Sequence, residues 1–153
     1  MEVTKVKYQG EVVIVHRMRY NGTTEEKLTL ECGDAPNKSF FDAMRAVEAD
    51  VLNRSGLKTK TFEKAFALTG VSVAKDKHGH RLFSLSATLQ FGYGPAFGIA
   101  LPLLREKVED EGGETVLSNI ECKHIVALLD EGNQYAEGAR VQGELPLGSE
   151  AQG

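Results

Sequence analysis

The dipeptide Asn21-Gly22 stands between two segments of alternating polarity, and it restricts the fold more than any other feature of the chain. Asparagine and glycine both tolerate φ > 0, as the central positions of a type I′ turn require, so a tight hairpin is expected there. Before it, residues 11–20 set Val12, Ile14, His16, Met18 and Tyr20 on one face and Val13, Val15, Arg17 and Arg19 on the other. After it, residues 25–32 set Leu28, Leu30 and Cys32 inward and Lys27, Thr29 and Glu31 outward. Residues 3–8 alternate as well and are broken by Gly10. Strands joined this closely run antiparallel, and their apolar half requires a covering layer.

The period then changes to helical. Asp34 or Asn37 is placed to cap, and Pro36 is tolerated only in a first turn. Phe40, Met44, Val47 and Val51 fall on one stripe, which Phe41 and Leu52 widen; Gly56 suits the C′ position, with Leu57 as its apolar partner. Residues 58–64 are a basic connector. Three more strands follow at 67–75, 80–91 and 97–103, turned by Asp76-Lys-His-Gly79 and by Gly92-Tyr-Gly-Pro95. Pro102 assigns the last of them to a sheet edge. After an acidic loop over 106–115, Ser118-Asn-Ile-Glu121 is a capping box. Ile125, Leu128 and Leu129 form the buried stripe of the helix it opens, Gly132 weakens its middle, Tyr135 continues the stripe and Gly138 ends it. The expected fold is α+β: one antiparallel sheet built from two βββα halves, about 1–57 and 62–138, with two helices packed on one face of a single domain over 1–138.

Residues 139–153 are expected to form a flexible C-terminal tail. Within it, Gln142-Gly-Glu-Leu145-Pro146-Leu147 has an amide, two spacers and two leucines around a proline. Proline fixes φ and forbids helix, so the segment should be extended, with Leu145 and Leu147 on one side. It resembles the short peptide by which many bacterial polymerases, repair proteins and replication regulators bind the sliding clamp, Gln-x-x-Leu-x-Leu or Phe. Gln142, Leu145 and Leu147 fall on its three defining positions. The resemblance implies that residues 142–147, Pro146 included, contact a clamp or another replication protein. The bland alternative packs both leucines back onto the body.

The rest of the chain is similar to small proteins encoded by tailed bacteriophages and prophages. The matching features are the hairpin opening, the Leu-Thr-Leu strand running into Asp34-Ala-Pro-Asn-Lys-Ser-Phe-Phe-Asp-Ala-Met44, the run over 122–135, and Glu137-Gly-Ala-Arg-Val-Gln142. The resemblance implies a bacterial cytoplasm and a role in phage DNA metabolism or host takeover. It brings no activity with it.

The residues point away from catalysis. Cys122 and His124 are two apart, a spacing that separates them on a helix, and His78 and His80 would need partners from elsewhere, so no metal or cofactor is expected. His16 reads as a strand histidine. The glycines of residues 92–98 lack the Lys-Ser/Thr of a phosphate loop, and there is no G-x-S-x-G. Cys32 and Cys122, far apart in sequence, read as reduced thiols. No apolar run approaches a membrane span.

Charge leaves a second reading open. Of the net −4, residues 1–104 carry 14 Lys+Arg against 11 Asp+Glu, and residues 105–153 carry 4 against 11. Lys5 and Lys7 share a face of their strand, as do Arg17 and Arg19, and antiparallel pairing would gather all four on the solvent side. Lys75, Lys77 and Arg81 make a basic hairpin tip, and Tyr93 offers a stacking ring. A basic sheet with aromatic rings is how single-stranded nucleic acid is held. The expected function is therefore a non-enzymatic accessory protein docking on a sliding clamp, with a single-strand-binding protein or an anti-defence binder of a host protein or nucleotide as alternatives.

Overall fold

A computed structural model describes residues 1–57, 59–107 and 115–138. The fold is α+β. Strands β1 (Glu2–Gln9), β2 (Val12–Asn21) and β3 (Thr24–Cys32) lead into helix α1 (Lys38–Ser55). The short helix α2 (Lys60–Ala65) precedes β4 (Phe66–Lys75), β5 (Arg81–Leu89), β6 (Phe97–Ala100) and β7 (Leu104–Arg105), and α3 (Asn119–Ala136) follows. The sheet runs β3-β2-β1-β4-β5-β6, every pair antiparallel, with β7 beside β6 on the same side of β5. The first strands of the two halves, β1 and β4, thus meet at the centre, and each half meanders outward to its own edge.

The turns follow from local chemistry. Asn21 pairs with Thr24, so Gly22 and Thr23 form the β2–β3 turn, one residue later than the dipeptide suggests. Gly22 has φ 67° and is the turn's one residue of positive φ, the glycine position of a type II′ turn. The I′ pattern instead appears between β1 and β2, where Gly10 and Glu11 have φ of 62° and 64°. Asp76 closes the β4–β5 turn: its Oδ1 accepts from the backbone N–H groups of His78 and His80 at 2.8 and 2.9 Å.

The last edge strand is broken where proline removes a donor. Phe97–Ala100 pairs with β5, Leu101 N–H still donates to Leu85 O, and pairing resumes at Leu104 beyond Pro102. Outside it, Arg105 N–H donates to Thr115 O and Leu117 N–H donates to Arg105 O, so residues 115–117 cover that edge. The sequence pattern does not separate α2 from the connector. Thr59 caps it by accepting from Phe62 N–H at 3.3 Å, and Phe62 packs edge-on against Phe91.

Helices α1 and α3 lie antiparallel on one face of the sheet. Beneath them Val6, Val13, Val15, Val71, Phe83 and Leu85 meet Phe40, Val47, Ile125, Leu128 and Tyr135 in one core. Three polar bridges fasten the pair along its length: Ser39 to Glu131, Asp50 to His124, and Arg54 to Glu121. Tyr135, buried in the core, donates through its hydroxyl to Cys32 O and Asp34 O. Gly132 lets α3 lie directly on β1, because a Cβ there would overlap Val6. A bulge at Leu68–Gly70 frees the Leu68 N–H, and Glu48 of α1 accepts it at 2.8 Å. Burial raises the Glu48 carboxyl above its ordinary value, against this hydrogen bond.

Candidate functional site

The peptide Gln142, Leu145, Pro146, Leu147 lies outside the described residues. What precedes it is closed. The last turn of α3 is satisfied by Glu137 N–H donating to Asn133 O and Gly138 N–H donating to Tyr135 O, and Gly138 takes φ 105°. A positive φ here ends the helix, as glycine just beyond a C-terminus commonly does. Among the described residues the last core side chain is Tyr135, with Ala136 against its rim.

The basic face expected across β1 and β2 is not formed. Val6 pairs with Val15, and both are buried under the helices, so Lys5 and Lys7 project from the opposite, open face of the sheet. Arg17 pairs with Val3 on the helix side, and its Nη1 donates to Asn133 Oδ1 of α3 at 3.5 Å. Arg19, on the same side as Arg17, is held by Glu26 across the hairpin at 2.5 Å. The reason is parity. Val13 and Val15 form the buried face of β2, and Arg17 and Arg19 continue that face beyond the helix layer.

The hairpin tip is also partly neutralised. Lys75 Nζ lies 3.5 Å from Glu2 Oε2, and Arg81 Nε donates to Glu106. Lys77 stands in the turn. Tyr93 is fully exposed, but in the turn after β5, whereas Arg81 begins that strand. Nine residues at about 3.3 Å each set them roughly 30 Å apart. The seven cations and Tyr93 therefore do not share one surface.

Two clefts that the sequence pattern does not reveal meet at Arg81. One, of about 400 Å³, lies between the start of β1, the end of β4 and α3, with Glu2, Tyr20, Lys75 and Asn133 on its walls. The other, of about 550 Å³, lies on the outer side of α3 between Glu106, Lys107, Cys122 and Lys123. Arg81, Val126 and Asp130 belong to both. The Glu106 hydrogen bond raises the Arg81 guanidinium, so it stays charged. Burial pushes the Cys122 thiol up, and the nearby Arg81 only partly offsets this. The raised value favours the protonated thiol, and Cys122 Sγ accepts a weak hydrogen bond from Arg81 at 3.6 Å. These residues come from β1, β2, β4, β5, the segment after β7 and α3, a convergence that no local spacing encodes.

Among the described residues, no group of three His, Cys, Asp or Glu is placed to hold a metal ion, and Cys32 and Cys122 are free thiols. His124 Nδ1 is instead 2.6 Å from Asp50 Oδ2, bridging the helices. No helix among the described residues is long and apolar enough to cross a membrane. No family model, curated protein or solved structure matches the chain.

Proposed function

We propose that this is a non-enzymatic accessory protein of phage DNA replication, recombination or host takeover that docks on a sliding clamp through Gln142, Leu145, Pro146 and Leu147. The observation that carries the reading is the position of this peptide beyond a helix whose end is already capped at Gly138. Its chemistry suits a pocket with a polar rim. Gln142 supplies an amide for the rim, Pro146 preorganises an extended backbone, and Leu145 and Leu147 supply the apolar contact. A peptide of this size gives about micromolar affinity, roughly −8 kcal/mol.

The division of charge agrees with docking on protein rather than coating nucleic acid. Arg19, Lys75 and Arg81, three of the cations that a single-strand-binding surface would use, are engaged by Glu26, Glu2 and Glu106. The test is retention on immobilised bacterial sliding clamp. Wild-type protein is retained, and Leu145→Ala/Leu147→Ala is lost while its circular dichroism stays unchanged. Equal retention of the two proteins sinks the reading.

A further inference from the structure

The two edges of the sheet are treated differently. The β6–β7 edge is interrupted at Pro102 and covered by residues 115–117. At the other edge β3 offers nine residues without proline, glycine or a register shift, and among the described residues β2 is its one strand partner. An uncovered edge of this length is a template for pairing unless its side chains oppose it. Those of β3 favour one particular pairing.

We infer that β3 is a homodimer interface, in which two copies join their sheets antiparallel about a two-fold axis at Thr29. The axis stands perpendicular to the sheet, so both helix layers remain on one side and facing residues have the same parity. Lys27 then faces Glu31 of the second copy on the open face, and Glu31 faces Lys27, with the two Thr29 side chains between them. On the helix face, Leu28 meets Leu30 of the second copy and Leu30 meets Leu28. Neighbouring registers lose this match. An axis at Lys27 opposes two lysines, one at Leu28 opposes Glu25 to Glu31, and one at Leu30 leaves Lys27 opposite Gly33. Opposite charges facing each other across strands are favourable, and like charges are not.

Two observations support the second copy as occupant. Lys27, Thr29 and Glu31 are exposed, and neither Lys27 nor Glu31 has an ion-pair partner among the described residues. The helices concentrate their packing on β1, β2 and β4, so Leu28 and Leu30 stay half-buried at the margin of the core. Pairing would set the leucines of both copies in one continuous row. The inference does not depend on the C-terminal peptide.

Sedimentation equilibrium of the full chain tests it by charge exchange. Wild type is expected to dimerise. Lys27→Glu alone and Glu31→Lys alone should each weaken the dimer by about tenfold or more, because each places like charges at two facing pairs. An equimolar mixture of the two variants, and the double variant Lys27→Glu/Glu31→Lys, should both recover it. In a Cys32→Ser/Cys122→Ser background, Thr29→Cys should form an intermolecular disulfide on oxidation, since facing Cα atoms of antiparallel strands are about 4.5–5.5 Å apart. A wild type that stays monomeric at several hundred micromolar, single reversals that dimerise as well as wild type, or a Thr29→Cys protein that does not cross-link each overturns the inference.

Discussion

A methyl group at position 132 would overlap Val6 Cγ2 and stand 3.2 Å from both Val6 Cβ and Cγ1, at the point where α3 rests on β1. In an exposed helix, Gly→Ala gains about 1 kcal/mol. Here the strand beneath must move, and overpacking of this kind costs about 1–3 kcal/mol. Gly132→Ala is expected to lower stability by roughly 1–2 kcal/mol, several degrees in Tm. The loss should be non-additive with Val6→Ala in a double-mutant cycle, because that change opens the space. A variant that melts higher than wild type contradicts the contact. The sequence presents Gly132 only as a weak point in a helix, since nothing local says which strand the helix will meet. Arg17 and Arg19 show the same limit. Alternation divides β2 into two faces, but both carry apolar residues, so periodicity does not say which one the helices cover. Val6, pairing with Val15 from the next strand, decides it.

At the scale of elements, what could be read in advance has a local cause. The capping box at Ser118–Glu121, the left-handed glycine cap of α1 and the Asp76 turn each rest on residues a few positions apart, and all three are present. Pro102 splits the last edge strand and Thr59 caps α2, but where pairing resumes, at Leu104, depends on β5 across the sheet. The bridge between α1 and α3 is likewise non-local. Arg54 donates from Nε to Glu121 Oε2 at 3.0 Å and from Nη2 to Glu121 Oε1 at 2.6 Å, and Nη2 also donates to Val116 O at 2.7 Å. Burial alone would raise the Glu121 carboxyl. The Arg54 hydrogen bonds and the Ser118 N–H outweigh it, so the folded value lies below 4.5. The pair therefore contributes stability above the unfolded carboxyl value, and this is lost as pH falls through the lower folded value. Arg54→Met should cost about 1–3 kcal/mol at neutral pH. The gap to wild type should narrow in acid, as pH falls from neutral through the lowered Glu121 value. Urea unfolding at neutral pH and in acid measures this, and a gap of equal size in each would remove the ion pair from the account.

At the scale of the molecule, two three-strand meanders meet along β1 and β4, and each is followed by a long helix that crosses back over the shared sheet. That arrangement completes the core within the described residues. Its last buried member is Tyr135, which ties α3 to the β3–α1 connection through Cys32 O and Asp34 O. The final turn of α3 then closes on its own backbone at Glu137 and Gly138. Among the described residues, these backbone bonds end the helix. Ordering a further ten or so residues would cost about 1–2 kcal/mol each, against the few kcal/mol that Leu145 and Leu147 gain by burial. Truncation after Ala139 is therefore expected to leave Tm within a few degrees of wild type and to abolish retention on the sliding clamp. The β3–β3 dimer should survive it, because that edge lies in the other half of the chain. If truncation instead unfolds the body, Leu145 and Leu147 belong to the core. Clamp docking then loses its physical basis, since a peptide buried in its own domain is not presented to a partner.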